Sequence, residues 1–194
     1  MSKLETNTID TVSGTSTLQV GSTNTSTITL GVSGDTINVP SGVTINNNGT
    51  QTGFGGVNTP AFHATASGSQ VIATNTATKL EYGSEVFDVG SCYDTSNYRF
   101  LPTTAGKYYF KATARSTSTT DFSQMWMQIY KNGSVVSRTI VPHDDYSSVS
   151  GSIIIAMNGS SDYLEAFFSH TLGSNLTLEN QTYSCYSEGF KIIE

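Results

Sequence analysis

The chain has 194 residues, of which 36% are hydrophobic and 12% charged, with a net charge of −6. That suffices for one modest core, or for a domain with an appendage. An acidic chain with nine Lys and Arg lacks the clustered cations that a phosphate backbone demands, and no stretch approaches the roughly 20 apolar residues that span a bilayer. Neither nucleic-acid binding nor membrane insertion is therefore expected. Polarity comes mainly from Ser, Thr, Asn and Gly, alongside many Thr, Val, Ile, Tyr and Phe residues that favour pleated, half-buried surfaces.

In chain order, the opening segment from Met1 to Asp10 lacks the apolar run of a secretory signal, which predicts no export by that route. Residues 12–46 then repeat a small unit. Leu18 and Val20 alternate with polar neighbours, as do Ile28 and Leu30, Ile37 and Val39, and Val43 and Ile45. Gly21-Ser22, Gly34-Asp35 and Pro40-Ser41-Gly42 separate the pairs. Period-two alternation between Gly and Pro clusters predicts short strands joined by turns. Each strand offers only two or three apolar side chains, too few to offset the backbone entropy lost on ordering one chain. Three copies wound about one axis could bury these pairs and satisfy one another's strand edges. Two readings follow: an intertwined trimeric β-stalk, or a partly disordered linker. The composition changes at Gly53-Phe54-Gly55-Gly56, read as a joint; Tyr, Trp, Cys and His all occur only after it.

From Pro60 onward the pattern is one of successive strands: 60–64, 79–82, 85–89, 98–101, 106–114, 125–130, 135–140, 152–157, 162–169 and 188–193. Asn132-Gly133 between two of these runs is a strong hairpin signal, since both residues tolerate positive φ. Short, evenly spaced strands predict a sandwich or barrel. Pro102 can end a strand where no N–H is needed, and Gly106 fits a turn before an aromatic strand. Tyr108 and Phe110 share one face of that strand and Tyr109 takes the other. Tyr109 then belongs either to the core of a single chain or to a contact with a neighbouring subunit.

Phe100-x-Pro102-x-x-x-Gly106-x-Tyr108-x-Phe110 resembles the signature of the globular head of complement component one, subcomponent q, and its tumour-necrosis-factor-like relatives. The order of the flanking segments agrees: Pro60-Ala61-Phe62, Val86-Phe87-Asp88, Tyr93-Asp94, Tyr130-Lys131-Asn132-Gly133 and Ser187-Glu188-Gly189-Phe190. The resemblance covers residues 60–194. It implies a jelly roll that assembles as a homotrimer, with Phe100, Pro102, Gly106, Tyr108, Tyr109 and Phe110 in its core or trimer contacts. Gly159-Ser160-Ser161-Asp162 departs from the family pattern as an insertion. No collagen-type Gly-x-y period precedes the head. The β-repeat in that place resembles the stalks of bacteriophage fibres and virion-decorating spikes. Within the opening segment, Lys3, Leu4 and Ile9 are the candidate virion anchor.

Catalytic constellations are not visible: there is no Gly-x-Ser-x-Gly, Walker or dinucleotide loop, and no enzymatic activity or cofactor is expected. His63, His143 and His170 lack metal-type partners at close spacing and are read as loop or strand-surface residues. His143-Asp144-Asp145-Tyr146 is the most polar loop of the head, either a solvated loop or part of a calcium site; no metal is assigned. Cys92 and Cys185 are read as two reduced thiols near a core, bridged only if the fold brings them together.

The sequence thus predicts an all-β protein: a virion-anchoring segment and intertwined trimeric β-stalk (1–52), a Gly-rich joint (53–59) and a jelly-roll β-sandwich head (60–194). The function expected is that of a bacteriophage virion structural protein, a short trimeric fibre, spike or decoration protein. It would be assembled in the host cytoplasm, with capsid or tail proteins as partners and a host surface glycan or protein as a further one. The alternatives are a secreted or surface-displayed trimeric module for proteins or glycans, and a glycan-degrading fibre enzyme.

Overall fold

The computed structural model describes residues 20, 21, 24, 26–46, 48, 49, 58–143 and 147–192. The chain divides into two units, Met1–Thr52 and Gly53–Glu194. In the first, two of the expected turns are present. Asp35 N donates to the Val32 carbonyl at 3.0 Å, and Val43 N to the Pro40 carbonyl at 3.2 Å. Gly34 and Gly42 lie at φ +97° and +85°. The expected strands do not appear among the described residues of this unit, and Ile28, Leu30, Ile37, Val39, Val43 and Ile45 are all exposed. The physical reason is the one anticipated for a lone chain: a strand of two apolar residues has neither a ladder partner nor a surface to cover it. Lys3, Leu4, Ile9, Leu18 and the Gly53–Gly56 segment lie outside the described residues.

The second unit is all-β. Its strands are β1 (Ala61–Thr65), β2 (Val71–Ile72), β3 (Thr78–Lys79), β4 (Ser84–Val89), β5 (Tyr93–Asp94), β6 (Arg99–Phe100) and β7 (Gly106–Arg115). They continue with β8 (Phe122–Lys131), β9 (Ser134–His143), β10 (Ser148–Met157), β11 (Leu164–His170), β12 (Leu176–Thr177) and β13 (Tyr186–Lys191). One sheet runs β10-β7-β13-β1-β4; the other runs β5-β6-β11-β8-β9, with β3 also on β11. Their inner faces close over one core containing Phe62, Phe100, Tyr108, Phe110, Met125, Met127, Ile129, Leu164 and Phe168. The period-two pattern explains this: in β7, Tyr108, Phe110, Ala112 and Ala114 alternate inward and are all buried.

The Asn132-Gly133 hairpin is present, with positive φ at both residues (+51° and +78°) and Lys131 opposite Ser134. The insertion at 159–162 is tied to this hairpin. Asn132 Nδ2 donates to Asp162 Oδ1 at 2.7 Å, Tyr163 N donates to Asn132 Oδ1 at 3.0 Å, and Lys131 Nζ lies 2.8 Å from Asp162 Oδ2. Gly159 is required there: at φ +68° an added Cβ would meet the backbone of Ala105 and Thr104. The Lys131 ammonium, then Asn132 and the Asn158 N–H, hold the Asp162 carboxyl below the usual carboxylate range. A depressed carboxyl contributes stability that is present above its unfolded pKa and lost as pH falls through the folded one. Asp162→Asn is therefore expected to lower the melting temperature at neutral pH, with the gap to the parent closing in strongly acid solution. Thermal unfolding followed across pH checks this.

Several boundaries differ from expectation. Tyr98 was expected in a strand but sits at φ +51°, and the strand expected at 79–82 is reduced to Thr78–Lys79, with Leu80 and Tyr82 buried just beyond it. The strands β2, β5 and β12 were not foreseen; at two residues each they are too short for any periodicity. His170 is a correction. It is fully buried, with Nε2 3.0 Å from the Ile72 carbonyl and Nδ1 accepting from Leu172 N at 3.2 Å. Its strand is covered by elements remote in sequence, so both ring nitrogens find backbone partners inside.

Cys92 and Cys185 are free and buried. Burial pushes both thiols up, with the Asp88 carboxylate adding to the effect at Cys92. Neither is expected to react with an aromatic disulfide reagent in the native protein, and both should react in denaturant; a thiol titration distinguishes the two states.

Candidate functional site

The face of the β10-β7-β13-β1-β4 sheet that points away from the core carries a row of exposed apolar side chains. Its residues are set by register. Ile154 lies opposite Tyr109, Tyr109 opposite Phe190, Phe190 opposite Ala61, and Ala61 opposite Val89. One row of apolar side chains therefore crosses all five strands. The rings of Tyr109 and Phe190 are 5.4 Å apart, while Ile154 is 62% exposed, Val89 49% and Phe190 38%. Large apolar side chains aligned in this way on an outward face mark contact surfaces.

The next row is polar at its centre: Ser152, Lys111, Glu188, His63 and Phe87. Lys111 Nζ donates to the Tyr186 hydroxyl at 2.7 Å and lies 3.6 Å from Glu188 Oε1. His63 Nδ1 is 3.3 Å from Glu188 Oε2, and its ring stacks on Tyr186 at 5.3 Å and Phe87 at 6.2 Å. The Tyr186 bond, with Glu188 behind it, raises the Lys111 pKa. The ammonium therefore stays charged at neutral pH, and its contribution disappears only as pH rises through that raised value. Farther along, Thr113 and Ser150 share a hydrogen bond of 2.8 Å. The face thus has an apolar stripe beside a self-satisfied polar cluster, an arrangement suited to adhesion in a fixed register.

The residues singled out from sequence are distributed as follows. Phe100, Pro102, Tyr108 and Phe110 are buried. Phe100 packs edge-on against Tyr108 at 5.4 Å and faces Phe110 at 6.2 Å. Gly106 opens β7, and Tyr109 is half-buried on the outward stripe. Asp144, Asp145 and Tyr146 lie outside the described residues. Among the described residues no group of three His, Cys, Asp or Glu side chains could hold a metal ion. Ile154, Phe190 and Val89 were missed as contact residues. Register alone puts them beside Tyr109, and Ile154 is masked in the sequence by the isoleucines on either side.

The two packed antiparallel sheets form a jelly-roll head, a fold similar to that of tumour-necrosis-factor-like domains. Among solved structures, mouse APRIL aligns with TM-score 0.55 at 12% identity, over 68% of this chain and 98% of that one. The vertex protein P5 of phage PRD1 aligns with TM-score 0.54 at 17% identity, over 71% of this chain and 99% of that one. The globular domain of zebrafish complement 1qA aligns with TM-score 0.47 at 14% identity, over 69% and 97%. No protein-family model and no curated protein matches the sequence.

Proposed function

We propose that the chain is a bacteriophage virion structural protein, a short trimeric fibre, spike or decoration protein without catalytic activity. In this reading residues 1–52 anchor it and form the stalk, 53–59 form the joint, and the 60–194 head assembles three-fold and faces the host. The observation that carries the reading is the apolar row Ile154–Tyr109–Phe190–Ala61–Val89, continuous across one outward sheet face. A row of this kind gains stability when a second copy covers it. The exposed aliphatic pairs of residues 28–45 support the same conclusion, since they too need other chains to bury them. The likeness of the head to a phage vertex protein supports a virion setting. Lys3, Leu4 and Ile9 are the proposed anchor residues. The test is electron microscopy of purified particles with a label attached at Glu194. Label projecting from particles at fixed positions is expected; protein recovered only in particle-free medium contradicts the virion assignment and favours an exported binding module.

A further inference from the structure

The other outward face, on the β5-β6-β11-β8-β9 sheet, carries a shallow depression of about 360 Å³. It is lined by Asn75, Ala77, Trp126, Gln128, Tyr130, Arg138 and Ser169. Trp126 lies opposite Ser169 on β11 and Ile140 on β9. Gln128 lies opposite Phe167 and Arg138, and the Tyr130 ring packs against Phe167 at 4.1 Å. The floor is therefore one indole and one phenol, half-buried and fixed by the sheet.

The polar groups are one buried amide, Gln128, with Arg138 and Asn75 exposed around it. Gln128 is only 5% exposed. With its amide oxygen toward Arg138 it accepts from Nη2 at 2.9 Å and from Nε at 3.2 Å, which holds the guanidinium plane beside the floor. Asn75, on the rim, is held at φ +55° and donates its backbone N–H to the carbonyl of buried His170 at 2.8 Å. Among the described residues lining the depression, Arg138 is the one with a charged side chain, on a chain of net charge −6.

We infer that this depression binds one pyranose residue of an acidic saccharide. The ring would stack its C–H face on Trp126, and its carboxylate would meet Arg138. Half-buried aromatic surface with a few convergent planar donors is the chemistry that recognises a sugar: apolar on its faces, hydroxylated at its edge. With Nε and one Nη2 hydrogen on Gln128, the guanidinium still has its Nη1–Nη2 edge, a pair of parallel donors that matches a carboxylate bidentately. Arg138 and Trp126 are diagonal cross-strand neighbours, whose backbone positions on such a diagonal lie about 7–8 Å apart, so a ring stacked on the indole lies within reach of the long arginine side chain. A shallow single-sugar site is weak by itself; repetition on a multimer would raise its avidity. The site lies on the sheet opposite the proposed subunit contact and is complete within one chain, so its test does not depend on the oligomeric state.

Trp126 is the single tryptophan of the chain, so the indole fluorescence of the full-length protein reports on this depression. Titration with sialyllactose and with a glucuronic-acid oligosaccharide is expected to give a saturable emission change in the millimolar range. Lactose and a neutral glucose oligosaccharide should be weaker by about tenfold, the worth of one charge-assisted bond. Arg138→Gln should remove the preference for acidic sugars while leaving the circular dichroism spectrum unchanged. Trp126→Leu, followed by calorimetry, should abolish binding of both classes. Equal response to neutral and acidic sugars, an unchanged preference in Arg138→Gln, or no response to any of the four would each overturn the inference.

Discussion

Replacing Ile154 and Phe190 together by aspartate is expected to leave the head folded and to convert the proposed trimer into monomers. Both side chains stand on the outward stripe and neither belongs to the buried core. Solvating them in the monomer therefore costs little, whereas a carboxylate placed against a second apolar surface must be desolvated without a partner. Central apolar contacts at interfaces are commonly worth about 2 kcal/mol or more each. Even if the two residues together lose only about 2 kcal/mol at each of three interfaces, association of the proposed trimer weakens by about four orders of magnitude. Sedimentation velocity read beside circular dichroism checks both halves of the expectation. A variant that unfolds would put these residues in the core; one that remains trimeric would move the interface elsewhere.

The second large effect is expected at Phe62. This ring is buried at the centre of the sandwich, stacked on Tyr93 at 4.5 Å and on Phe100 at 4.9 Å, with Phe110 at 6.2 Å. β13 passes so close that a Cβ on Gly189 would lie 2.9 Å from the Phe62 ring. Phe62→Ala removes the ring that joins the two sheets and leaves a cavity whose rigid aromatic walls cannot collapse. Such substitutions cost about 3–5 kcal/mol, against about 5–15 kcal/mol for a whole domain. The variant should melt about 10 °C lower or more, at the same protomer concentration as the parent, because any multimer makes the melting temperature depend on concentration. Unchanged thermal stability would mean that the ring is not central to the core.

How much of this was legible in the sequence follows from the range of each signal. Asn132-Gly133 announced its hairpin because the conformational requirement is local. Phe100, Tyr108 and Phe110 could be placed inward because alternation within one strand assigns faces without knowledge of its neighbours. Tyr109 was assigned to the opposite face by the same rule. Its companions were not, because Ile154, Phe190, Ala61 and Val89 come from four other strands, and only the ladder register aligns them. The Trp126 depression was invisible for a similar reason: its walls come from residues 75–77, 126–138 and 169, which no spacing rule connects. His170 was misplaced because its burial depends on β2, nearly a hundred residues away in sequence. The stalk pairs show the limit from the other side. The pattern Ile28-x-Leu30 was plain, but a pattern forms a strand only when something pairs with it, and among the described residues of one chain nothing does.

The central claim, that the chain functions as a homotrimer held by the outward stripe of its head, is tested most directly by the mass of the full-length protein in solution. Analytical ultracentrifugation at micromolar concentration is predicted to give one species at three times the 20.7 kDa chain mass. A single species at 20.7 kDa across that range would contradict the account.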